Sequence, residues 1–183
     1  MSLRCLLPAV LCCGGVVLAQ TGGLAPEWEV KKSMDEYAAQ LKRLEPVLAQ
    51  VKPQEWLNKG APEAYVRQLK SCQDELGYLL GSTEKLGRQP DKLTVGLEAY
   101  FRSDSLQTLV GSLANGTRKY QNPALADLLL AEMNASSPGR EKLRQYLTDL
   151  AASKEKEFQI VDSEAQRCRT AVTRQPAAPA PKH

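Results

Sequence analysis

The stretch SPGREKLRQYLTDLAASKEKEFQIVDSEAQRCRTAVT, residues 137–173, decides the fold class. Leu143, Leu147, Leu150, Lys154, Phe158, Val161, Ala165, Cys168 and Val172 recur in steps of three and four. That period lines all of them along one face of a helix, whereas a strand would need strict alternation. Ser137 fits the cap, Pro138 the first position and Glu141 the first turn. The spacing predicts one long helix that ends before residues 174–183. There the Pro and Ala content of QPAAPAPKH predicts an extended, disordered tail.

Working outward, a second stripe runs Tyr65, Leu69, Cys72, Leu76, Leu79, Thr83, Leu86, opened by Pro62 and closed by Gly87 and Pro90. A third runs Val30, Met34, Tyr37, Leu41, Leu44, Leu48, Val51. Pro46 interrupts it, because proline cannot donate to the carbonyl of Lys42, so a kink or break is expected there with the stripe continuing. Between the two, PQEWLNKGAP reads as a helical turn led by Pro53 and closed by Gly60, with Trp56 over the corner. The middle of the chain reads as shorter pieces. LTVGLEAYF comes first, then SLQTLVGSLANG with Asp104 as cap and Asn115-Gly116 as stop, then PALADLLLAEM capped by Asn122 with Pro123 next. The expectation is an all-α protein: an elongated antiparallel helical bundle of three long helices plus several short helices in the middle. It forms a single domain over residues 27–173 behind a flexible linker at 20–26.

The first residues speak of compartment. MSLRCLLPAVLCCGGVVLAQ has one early positive charge, Arg4, an apolar run, and Val17-Leu18-Ala19 before Gln20. This is the pattern of a secretory signal over residues 1–19, too short and glycine-broken for a membrane span. The expected location is exported, periplasmic or extracellular. Removal of that segment takes Cys5, Cys12 and Cys13 with it and leaves Cys72 and Cys168. Two cysteines in an oxidising compartment predict one disulfide, Cys72 to Cys168, provided their helices run antiparallel and bring both stripes to one end of the bundle. The flanking Arg167 and Arg169, which could otherwise prepare a thiolate, then read as cations at a helix end.

Charge and residue types exclude much of chemistry. Lys and Arg number 24 against 21 Asp and Glu, interspersed as in LKRLE and REKLR, with no basic block of the kind that phosphate neutralisation requires, so nucleic acid is not an expected partner. The single histidine is His183 in the tail, which leaves no imidazole for a catalytic triad or an ordinary metal site. GSTEKLG and GSLANG lack the spacing and preceding strand of a phosphate loop. No catalytic residue, cofactor or metal is expected. A carboxylate pair such as Glu98 and Glu132 is the one enzymatic arrangement the composition leaves open, acting on a cell-wall or other glycan.

The densest polar and aromatic stretch holds Tyr100, Phe101, Arg102, Arg118, Tyr120 and Gln121. As a group these form a candidate partner-binding surface; the plainer reading is that the aromatics cover the open end of the helical stem. Asn115-Gly-Thr117 and Asn134-Ala-Ser136 match glycosylation acceptors and equally match helix stops. The expected function is a non-catalytic exported helical protein that binds a protein or envelope component, as an adaptor, chaperone-like factor or structural part. The alternatives are the carboxylate enzyme, or a secreted helical signalling protein if the source is eukaryotic. Exposed heptad faces leave self-association open.

Overall fold

The computed structural model describes residues 24–173. The signal segment, most of the linker and the Pro/Ala tail lie outside the described residues. Helices α1 (Glu27–Lys42), α2 (Leu44–Leu48), α3 (Pro53–Trp56, continued by a 3-10 turn at Leu57–Lys59), α4 (Ala64–Arg88), α5 (Leu93–Tyr120), α6 (Pro123–Ala135) and α7 (Ser137–Thr173) follow in order. No strand occurs among the described residues, so the chain is all-α.

Each break has a local cause. α1 ends at Lys42 and α2 restarts at Leu44, because Pro46 has no N–H for the Lys42 carbonyl. The stripe carries across the break, with Leu41, Leu44, Leu48 and Val51 all buried. Pro53 stands in the first turn of α3, and Gly60 takes a left-handed φ of 80° that lets the chain turn toward α4. The Asn122 side chain accepts a 2.9 Å hydrogen bond from the Ala124 N–H and caps α6, with Pro123 at its first position.

The middle of the chain departs from expectation. Instead of several short helices, one 28-residue helix, α5, runs through the expected cap at Asp104 and the expected stop at Asn115-Gly116. The carboxylate of Asp104 caps nothing; it bonds Arg140 of α7 at 2.7 Å. Gly116 is buried within α5, and a Cβ there would sit 2.6 Å from the Tyr65 ring and 2.9 Å from the Trp56 ring. Its lack of a side chain admits two aromatics to the helix backbone and does not end the helix.

The pairing of helices follows from named contacts. Lys31 near the start of α1 lies against Gly87 near the end of α4. Arg102 of α5 pairs with Glu75 of α4, and Lys85 with Glu98. Arg140 of α7 meets Asp104, while Leu147, two turns further on, packs over Gly96. Lys142 pairs with Glu36 of α1. α1 and α5 therefore run one way and α4 and α7 the other, with the buried Tyr37 and Ser103 hydroxyls sharing a 2.6 Å hydrogen bond across the centre. α6 folds back along α5, where Arg118 meets Asp127.

That arrangement overturns the expected disulfide. Cys72 and Cys168 are both free, the first buried in α4 and the second exposed on α7. α4 and α7 run parallel, so the start of one is far from the end of the other. Cys72 lies near the level of Glu75 and Arg102, and Cys168 lies about 40 Å further along the bundle axis at about 1.5 Å per residue. Disulfide bonding needs Cα atoms within about 7 Å.

Burial on α7 stops at Leu150. Beyond that level α5 has not yet begun, α4 has ended at Arg88 and α1 starts only at Glu27. From Ala151 to Thr173 α7 continues as an arm with no helix among the described residues on its apolar side, about 35 Å long at about 1.5 Å per residue.

Candidate functional site

The six residues of the expected binding surface fall into two groups at opposite ends of α5, about 27 Å apart at about 1.5 Å per residue. At the far end Gln121 is a clasp. Its side-chain oxygen accepts from the Lys52 N–H at 2.9 Å and from the Trp56 indole N–H at 3.1 Å, and its amide nitrogen donates to the Gln50 carbonyl at 2.8 Å. Tyr120 stacks with Trp56 and meets Tyr65 edge-on, and Arg118 is held by Asp127. These three close the end of the bundle, in line with the plainer reading of the sequence.

At the near end the surface is more open. Tyr100 is half-buried with Phe101 edge-on against it at 6.1 Å, and Phe101 is 64% exposed. Arg102 is committed to Glu75 and Glu98 and lies over the Tyr78 ring. Arg140 reaches over the other side of Tyr100. Leu93, Leu97 and Tyr100 of α5 and Leu147, Ala151 and Glu155 of α7 line a groove of about 540 Å³ at the root of the arm.

The sequence carries one apolar stripe along the whole of the last helix, and the structure exposes its second half. Phe158 is 72% exposed, Val161 63% and Val172 70%. They continue, on the same face, the stripe whose members Leu143, Leu147 and Leu150 are buried. One signal in the sequence marks the change: leucine fills the stripe to Leu150, after which Lys154 enters it and leucine does not return.

The candidate acids do not meet. Glu98 lies near the start of α5 with Lys85 and Arg102, and Glu132 near the end of α6 with Arg43 at 3.0 Å. Among the described residues no group of three His, Cys, Asp or Glu side chains is placed to hold a metal ion. Burial, reinforced by Glu75, pushes the Cys72 thiol from 9.0 up to about 12. It therefore stays a protonated, apolar core group. Burial likewise raises Tyr37, opposed by its Ser103 hydrogen bond and by Arg140, and raises Tyr146, whose hydroxyl donates to the Pro90 carbonyl at 2.6 Å. Asn115 and Asn134 are both exposed, on α5 and at the end of α6.

Among the described residues no helix is long and apolar enough to cross a membrane. The fold thus defines an all-α bundle with a projecting amphipathic arm. Compared with protein-family models, curated proteins and solved structures, the chain matches none of them.

Proposed function

We propose that this is an exported, non-catalytic helical protein that works by binding, with the α7 arm and the groove at its root as the docking surface for a helix. The observation that carries this is the continuity of one stripe: buried as far as Leu150, then exposed at Phe158, Val161 and Val172. An amphipathic helix with its apolar side open to water is the half of a helix-to-helix interface that a protein partner completes. Export rests on the character of residues 1–19, and an oxidising destination is compatible with one buried thiol and one exposed thiol. In this role the protein serves as an adaptor, a chaperone-like factor or a structural part of an envelope or extracellular assembly.

Photo-cross-linking in the native compartment tests the reading. A photoreactive residue at position 158 or 161 should trap a protein, and one at Lys156, on the opposite side of the arm, should not. Adducts of equal strength at all three positions, or none at 158 and 161, would remove the arm from the docking surface.

A further inference from the structure

We infer that the distal part of the arm, residues 158–173, is a conditional helix: it opens and reforms in the free protein and holds its helical form when its apolar side is covered. The second half of that statement rests on the reading of the arm as a docking face; the first half does not.

Nothing outside the arm supports its helix. Burial on α7 ends at Leu150, and among the described residues every side-chain hydrogen bond and ion pair beyond Ser153 is made within the arm itself. A helix of this length without tertiary packing is marginal in water. The buried first half of α7 supplies the nucleus, so the arm has only to propagate outward from Leu150, and residue type decides how far it does.

Residue type changes at Phe158. AASKEKE, residues 151–157, consists of strong helix formers apart from Ser153, and Lys154 pairs with Glu157 at 3.1 Å. FQIVDSEAQRCRTAVT, residues 158–173, opens with Phe158, Ile160, Val161, Asp162 and Ser163 and closes with Thr170, Val172 and Thr173. The branched and aromatic side chains lose rotamer freedom against the preceding turn. The hydroxyls compete with the backbone ladder: Ser163 donates to the Ile160 carbonyl at 2.8 Å and Thr170 to the Gln166 carbonyl at 2.9 Å. Against these stands one pair of side chains among the described residues, Gln166 donating to Asp162 at 2.8 Å.

The weak helix formers include the residues of the exposed stripe. Phe158 at 72% and Val161 at 63% exposure bury little in the helix, so helix formation in the free protein brings them no apolar burial. Only the helix lines them up on one face. A surface laid on that face therefore adds burial to the helical form alone and shifts the equilibrium toward it.

Hydrogen exchange of the free protein tests the first half. Amides of residues 158–173 should exchange within about tenfold of their unstructured rates, whereas those of Leu147 and Leu150 should be protected on the order of a thousandfold or more. Ser163→Ala/Thr170→Ala, changed on the side of the arm away from the stripe, should raise the distal protection about fivefold, and Ser163→Gly/Thr170→Gly should abolish it. Distal amides as slow as those of Leu147 and Leu150 in the wild type, or equal protection in the two variants, overturn the conditional helix. The photoreactive residue at position 158 tests the second half. Its adducts should be strongest with the alanine pair and weakest with the glycine pair, because the competent form is populated in that order. Equal adducts with both pairs and the wild type overturn the coupling to docking. No adduct in any of them removes the docking reading and the coupling together, and exchange alone then decides the conditional helix.

Discussion

The side-chain oxygen of Gln121 accepts a hydrogen bond from the indole N–H of Trp56 at 3.1 Å, across 65 residues of sequence. The same oxygen holds Lys52 N–H, so one side chain fastens the irregular segment between α2 and α4 to the end of α5. Gln121→Ala leaves the N–H of a Trp that is 1% exposed without its acceptor. The expected loss of stability is about 1–3 kcal/mol by urea unfolding, with no change in association through the arm. A neutral result would mean that water replaces the clasp without cost.

Gly116 and Gly111 share a helix and should respond oppositely to alanine. At Gly116 a Cβ meets the Tyr65 and Trp56 rings, while at Gly111 nothing lies within 4 Å. Gly116→Ala should destabilise by about 1–3 kcal/mol through forced displacement of the aromatics. Gly111→Ala should stabilise by about 0.5–1 kcal/mol through helix propensity. Equal effects in thermal unfolding would contradict the close approach at Gly116.

Stability should fall with alkaline pH. A thiol raised from 9.0 to about 12 on folding keeps its proton in the native state while the unfolded chain has already released it. Its contribution is complete below pH 9 and is lost as pH climbs toward 12, at up to about 1.4 kcal/mol per pH unit. Tyr37 and Tyr146, also raised, act in the same direction at the upper end of that range. Chemical denaturation of Cys72→Ala between pH 8 and 11 should show a shallower decline than the wild type, from a lower starting stability; an unchanged slope would place the linkage elsewhere.

The two thiols should react on separate timescales. Cys168 is exposed and should be modified at once by a thiol reagent in the native protein. Cys72 should react only as fast as the chain unfolds. Reduction should leave the unfolding midpoint unchanged, because Cys72 and Cys168 are not bridged to each other. A native protein with no titratable thiol would restore the discarded Cys72–Cys168 bond.

Periodicity made the helices legible, and chemistry at single residues made some of their ends legible. The stripes of α1, α4 and the first half of α7 are buried as spaced, and Pro46, Gly60 and Asn122 act where their backbone chemistry requires. What periodicity cannot carry is the direction and level of one helix against another. Asn115-Gly116 resembles a stop because the ring of Trp56, 60 positions earlier, that makes a glycine necessary there is a tertiary fact. The disulfide failed for the same reason. Two cysteines on two apolar faces meet only if the helices run antiparallel, and here each is antiparallel to α5 instead. The candidate surface was split because Tyr100 and Gln121 are near in sequence but stand about 30 Å apart along one helix at about 1.5 Å per residue. The exposure of the arm could not be read because a stripe shows which side of a helix is apolar and not whether anything covers it.

In the binding role proposed for the arm, α7 beyond Leu150 serves docking and adds nothing to the core, where its burial has ended. Ending the chain after Ser153 and following both thermal unfolding and capture of the cross-linked protein separates the two roles. The truncated protein should unfold at the wild-type midpoint, since none of the described residues removed is buried, and should no longer retain the protein that a photoreactive group at position 158 traps. A midpoint lowered by several degrees, as expected when about 1 kcal/mol or more of core packing is lost, would contradict it.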